Sequence, residues 1–223
     1  MWWQSECIYC NEHLYSLKNN YLKCSACKKK YSKAKVNKII LLMELFLQNR
    51  SALDVASSQK LSYKSVWEYF DSFRKLSAII CEREYELLRE KPCEYEEYFY
   101  IQKIKKHSKH SILDAQNFLT FDYQNHIYTI LMPSLKKYKN EFIDDGVGEV
   151  YTSELSKFAR DSKLINITRL DNNITRFWSF LEKNITIYKG INDANFGLFL
   201  KEFEFKYNHD KNKALELLIK EYF

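Results

Sequence analysis

Two cysteine pairs, Cys7-Ile8-Tyr9-Cys10 and Cys24-Ser25-Ala26-Cys27, constrain this chain more than any other feature it carries. A two-residue spacing makes a tight knuckle that aims both thiolates at one ion, and the thirteen residues between the pairs are long enough for a short hairpin. Four thiolates at such knuckles complete the tetrahedral shell of a structural Zn²⁺. The expectation is therefore a zinc ribbon over residues 1–35, with Cys7, Cys10, Cys24 and Cys27 as ligands. Two disulfides, or unrelated buried cysteines, are the alternatives, and the compartment decides between them. The opening "MWWQSECIYC" lacks a basic start followed by an apolar run, and no stretch of 18 apolar residues occurs. That argues against a signal peptide and a membrane span and predicts a cytoplasmic protein, where cysteines stay reduced. His13 could replace a cysteine but is not required.

Charge adds a second constraint. Residues 1–77 hold thirteen Lys and Arg against six Asp and Glu, a surplus of seven, whereas the remainder holds 22 against 23. The basic surplus is confined to the N-terminal third, the footprint of a phosphate-binding module. It is densest directly after the second knuckle, at Lys28, Lys29, Lys30, Lys33 and Lys35. Such a run fits a contact to the nucleic-acid backbone, and equally a solvated linker. Only four glycines occur, so no glycine-rich loop can cradle a nucleotide, and Rossmann and P-loop chemistry are excluded.

Residues 36–77 read as three short helices. "KIILLMELFLQN" has apolar residues at helical spacing, "SALDVASSQ" opens on Ser51 as an N-cap, and "SYKSVWEYFDSFRKL" opens on Ser62. About four residues separate the second helix from the third. This is the grammar of a helix-turn-helix, whose third helix would present Tyr63, Lys64, Ser65 and Trp67 or Glu68 to the major groove. Residues 78–92 read as a charged linker helix ended by Pro92. From 93 to 223 the character changes. "CEYEEYFYIQKIKK", "SILDAQNFLTFDYQN" and "HIYTILMP" read as strands, residues 134–162 as helix, short strand and helix, and the last fifty residues as helices broken at Gly190. Together these predict an α+β chain whose C-terminal part is a mixed sheet with helices packed on it.

This order, with "FWSFLEKNITIYKGI" and the closing "FLKEFEFKYNH" (199–209), resembles the ISXO-two-like insertion-sequence transposases over nearly the whole chain. These bacterial enzymes carry an RNase H-like DDE domain. The resemblance implies an RNase H-like fold for 93–223 and three acids that hold two Mg²⁺ ions for in-line displacement at phosphorus. At the matching positions stand Glu96, in place of Asp in "EYEEYFYI", Ser153, in place of Asp in "YTSE", and Thr175, in place of Glu in "NNITRFW". Two carboxylates are replaced by hydroxyls, so no catalytic residue and no Mg²⁺ are expected. The resemblance implies a nucleoid-associated, domesticated transposase that binds double-stranded DNA as a regulator or scaffold, as a homodimer or with a protein partner and without a membrane. The alternative is an active transposase using substitute acids such as Glu97, Asp114, Glu154 or Asp171.

Overall fold

The computed structural model describes residues 5–102, 115–134 and 171–223. It contains two three-stranded antiparallel sheets, β1–β2–β3 and β4–β5–β6. Six α-helices accompany them among the described residues. The chain separates into two compact units, Met1–Glu82 with His209–Phe223, and Arg83–Asn208.

In the first unit, β1 (Leu14–Ser16), β2 (Tyr21–Cys24) and β3 (Lys30–Ser32) form the small sheet. Leu14, Leu22 and Tyr31 turn inward and Tyr15, Tyr21 and Lys30 turn outward, as the twofold alternation of a strand requires. Ser32 caps helix α1 (Lys33–Leu47) by accepting from the Lys35 N–H. Ser51 caps α2 (Ala52–Ser58) by accepting from the Asp54 N–H, as the sequence predicts. Four residues later α3 (Tyr63–Leu88) begins, where the Ser65 N–H donates to the Ser62 hydroxyl at 3.2 Å. Both inter-helix turns pass through a left-handed residue, Asn49 (φ 57°) and Lys60 (φ 53°), which lets Arg50 and Leu61 bond back to Leu45 and Ala56. Phe46, Phe70 and Phe73 are fully buried and meet edge to face or tilted, with centroids 5.3–6.3 Å apart. Burying each is worth about 1.5–3 kcal/mol.

Two expectations about element limits are corrected here. No break separates residues 77 and 78: α3 is one helix of 26 residues, and the supposed linker helix is its second half. Its Ile80 and Cys81 are buried, so the apolar stripe simply continues. The last helix, α6 (Lys211–Tyr222), groups with the first unit, not with residues 93–208. It packs on α1, and Tyr222 meets Phe73 at 5.9 Å.

The second unit is built on β4 (Glu94–Tyr100), β5 (Gln116–Asp122) and β6 (Ile127–Leu131). Among the described strands the pairing is antiparallel throughout, so the mixed sheet expected from sequence is not what these three strands form. β5 and β6 are joined by Gln124 and Asn125, both left-handed, the two-residue turn whose twist matches that of its strands. Helices α4 (Asn173–Ile185) and α5 (Phe196–Asn208) supply the rest of the core. Tyr98, Tyr100, Phe118 and Ile127 of the sheet pack with Ile174, Phe177, Trp178, Leu181, Phe196, Leu200 and Phe203. The Trp178 indole N–H donates to the Thr120 hydroxyl at 2.9 Å, so the one polar atom of that ring is satisfied. Gly190 (φ 72°) makes the break between these helices.

Candidate functional sites

The cysteine quartet lies at the edge of the small sheet. Cys7 and Cys10 precede β1, Cys24 ends β2, and Cys27 sits in the turn before β3. The two knuckles repeat one local geometry. In each, the N–H of the first cysteine donates to the carbonyl five residues on, Cys7 to Glu12 at 2.8 Å and Cys24 to Lys29 at 3.0 Å. In each, the N–H two residues after it points at its sulfur, Tyr9 to Cys7 at 3.5 Å and Ala26 to Cys24 at 3.3 Å. In each, the residue after the second cysteine is left-handed, Asn11 (φ 59°) and Lys28 (φ 62°). The four sulfurs all lie within 4.8 Å of one another. Cys7 and Cys27 are 3.7 Å apart, and Cys10 and Cys24 are 3.4 Å apart. A tetrahedral Zn–S shell at about 2.3 Å sets sulfurs roughly 3.8 Å apart, so the quartet is compatible with a structural zinc ion. Burial pushes the Cys7 thiol up to about 12. Burial also works against the Cys24 thiolate, but the N–H groups of Cys27 and Ala26 and the neighbouring thiols bring it down to about 6. Sulfurs crowded this closely cannot all carry charge unless a cation joins them. His13 stands outside the set, and its carbonyl accepts from the N–H and hydroxyl of Ser25.

The lysines predicted to meet phosphate are exposed at Lys28, Lys29, Lys30, Lys33 and Lys35. Lys29 lies over the Tyr9 ring at 3.7 Å, and Lys30 lies over Tyr21 at 4.8 Å. At the head of α3, Tyr63 and Trp67 are one turn apart and about half exposed, and Lys64 and Glu68 are exposed with them. Ser65 differs from these. The residue is half-buried, and its hydroxyl accepts from the Ser62 hydroxyl at 3.0 Å, so it serves the helix start.

In the second unit, Glu96 and Thr175 meet at one residue, Asn172. The Asn172 side-chain amide donates to Glu96 Oε1 at 3.0 Å. Its carbonyl oxygen accepts from the Thr175 N–H at 2.8 Å, while its own N–H donates to the Thr175 hydroxyl at 3.2 Å. The pair is a capping box with Thr in place of the usual Glu or Gln. Further along the same strand and helix, the Tyr98 hydroxyl donates to Glu182 at 2.6 Å. Burial, then that carboxylate, raises the Tyr98 phenol above its ordinary value. Glu97 points to the opposite face of β4, where it accepts from Asn117 at 2.6 Å. Asp171 is exposed and paired with Arg176 at 2.9 Å. Ser153, Asp114 and Glu154 lie outside the described residues. Among the described residues, the group of His, Cys, Asp and Glu placed to share an ion is the cysteine quartet. No described helix is long and apolar enough to cross a membrane.

Sequence reasoning missed Asn172 as a participant, although it stands three residues before Thr175 and an Asn there is an N-cap signal. It also missed the buried ion pairs of α5. Lys206 meets Glu202 at 2.5 Å, and Lys201 meets Glu204 at 3.0 Å. Comparison with known proteins gives no family: no family model, curated protein or solved structure matches this chain.

Proposed function

We propose that the chain is a zinc-stabilised protein that binds double-stranded DNA, derived from an insertion-sequence transposase. In this reading it no longer cuts or joins strands and acts as a transcriptional regulator or nucleoprotein scaffold. The observation that carries DNA binding is the first unit. A cysteine quartet fit for zinc leads through exposed Lys28, Lys29 and Lys30 into helices joined by a four-residue turn, with Tyr63, Lys64 and Trp67 exposed at the head of the third. Lysines of that kind supply affinity without sequence, and a helix head supplies base contacts.

Loss of chemistry rests on the surroundings of Glu96. Two divalent ions bring four positive charges, which three carboxylates ordinarily offset. Here one Glu96 oxygen is occupied by the Asn172 amide, and Thr175 offers a hydroxyl already committed to a helix cap. Of the substitute acids in the described residues, Glu97 faces away and Asp171 is held by Arg176. Converting Lys28, Lys29 and Lys30 to Gln should weaken binding to every duplex and flatten its salt dependence, whereas Lys64→Ala should alter sequence preference. The protein should leave its preferred duplex intact with Mg²⁺ or Mn²⁺. Cleavage that disappears in Glu96→Ala would establish the active transposase instead.

A further inference from the structure

The small sheet has two faces, and the metal site uses only one of them. Cys24 shares its face with Leu14, Leu22 and Tyr31, all buried. The other face carries Tyr15 on β1, Tyr21 and Lys23 on β2, and Lys30 on β3. Tyr15 is 40% exposed and Tyr21 is 39% exposed. Tyr15 pairs with Lys23, which makes Tyr21 its diagonal neighbour, on the order of 7 Å away. Lys23 stands directly opposite Lys30. Like charges in that register destabilise a sheet. Lys30 is partly accommodated over the Tyr21 ring at 4.8 Å, and a polyanion laid across the strands would turn the repulsion between the two lysines into attraction. Residues 1–43 hold eight lysines and two acids, Glu6 and Glu12, a surplus of six.

From this juxtaposition we propose that the outer face of the β1–β2–β3 sheet is a binding surface for single-stranded nucleic acid. Successive unpaired bases stack on Tyr15 and Tyr21, and Lys23 and Lys30 meet the intervening phosphates. Two aromatic rings beside two lysines suit a partner that alternates flat apolar rings with anions. A duplex hides its base faces and could use only the lysines. An acidic peptide has charge but few rings. The inference does not rest on duplex binding by α3 and stands or falls separately.

The test uses the full-length, zinc-loaded protein and fluorescent oligo(dT) and oligo(rU) of roughly twelve nucleotides, within the site sizes of such surfaces. Binding is followed by anisotropy across a salt series. Tyr21→Ala and Tyr15→Ala should each weaken single-strand binding about tenfold, and Tyr21→Phe should hold it within about twofold. Lys23→Gln should lower the salt slope by about one ion. A duplex of equal length should be indifferent to the tyrosine variants, and poly-glutamate should not displace the oligomers. Zinc content and circular dichroism equal to wild type show that each variant is folded. Tighter oligo(dT) binding identifies displaced DNA as the natural strand, and tighter oligo(rU) identifies RNA; either supports the proposal. Folded alanine variants that bind as wild type would overturn it, as would equal losses for single strand, duplex and poly-glutamate. If duplex binding is absent while single-strand binding follows the tyrosines, the proposed function fails and this surface remains.

Discussion

Asn172 holds the start of α4 and one carboxylate of β4 with a single side chain. Its removal therefore takes away an N-cap and leaves Glu96 without its amide partner. Asn172→Ala should cost about 1–2 kcal/mol of stability, read from urea unfolding, with cap loss as the larger part. A double-mutant cycle with Glu96→Gln isolates the Glu96 share. A single-mutant cost near zero would show that the cap is replaced by water. Glu204 is the other informative residue. It is fully buried, bonded to the Thr129 N–H at 2.8 Å and to Lys201. Burial nevertheless raises its carboxyl above the ordinary value, against the pull of Lys201 and Thr129. The folded protein therefore takes up that proton more readily than the unfolded chain. Stability from the group is full below the unfolded value and declines as pH rises through the folded one. Measured against Glu204→Gln, wild type should lose ground as pH rises above the ordinary carboxylate range. A pH-independent gap between the two would show that Lys201 fully offsets the burial.

At the scale of elements, the helix ends are set by unusual residues. With four glycines in the chain, the left-handed positions among the described residues fall, besides Gly190, to Asn11, Asn20, Lys28, Asn49, Lys60, Gln124 and Asn125. Lys28, Lys60 and Gln124 are the strained cases, since asparagine tolerates this region better than lysine or glutamine, and of the three Lys60 follows the end of an α-helix. Lys60→Gly should stabilise the protein by about 0.5–1 kcal/mol, Lys60→Ala should not, and Asn49→Gly should gain less than Lys60→Gly. Thermal unfolding of the three variants checks the order. The same turns explain what was legible in sequence. Ser51 and Ser62 mark helix starts because a hydroxyl is needed there, and the three strands of the second sheet show through their Tyr, Phe and Ile. The end of α3 was not legible, because a 26-residue helix and two abutting shorter ones share one periodicity. Where α6 packs was not legible either: an apolar stripe says which face of a helix is buried and nothing about the partner. The cysteine quartet was legible in full, since spacing alone brings its sulfurs together. The meeting of Glu96 with Thr175 came from the resemblance, and the hydrogen-bonding residue between them could be identified only from coordinates.

At the scale of the whole molecule, each unit has its own interior, and the cysteine quartet belongs to the first. Residues 5–32 bury few side chains of their own: Leu14, Leu22, Tyr31, Ile8 and two of the cysteines. So small a sheet cannot offset its conformational entropy by apolar burial alone, so in the proposed zinc-bound form metal binding would supply much of its folding free energy. The second unit contains a cluster of twelve buried residues, seven of them aromatic, with no cysteine among them. Removing zinc with a strong chelator should therefore strip amide protection from residues 5–32 and leave β4, β5, β6, α4 and α5 protected. Hydrogen exchange followed by mass spectrometry reads both regions in one sample. Cys24→Ser should reproduce the chelated pattern without chelator, because three thiolates no longer close the tetrahedron. The ordering of the two losses decides the matter. If chelation leaves the 5–32 amides protected, the sheet folds without metal and the quartet is not its structural support. If chelation strips β4 to β6 as well, the two interiors unfold as one cooperative system, and the division at Glu82 has no energetic meaning.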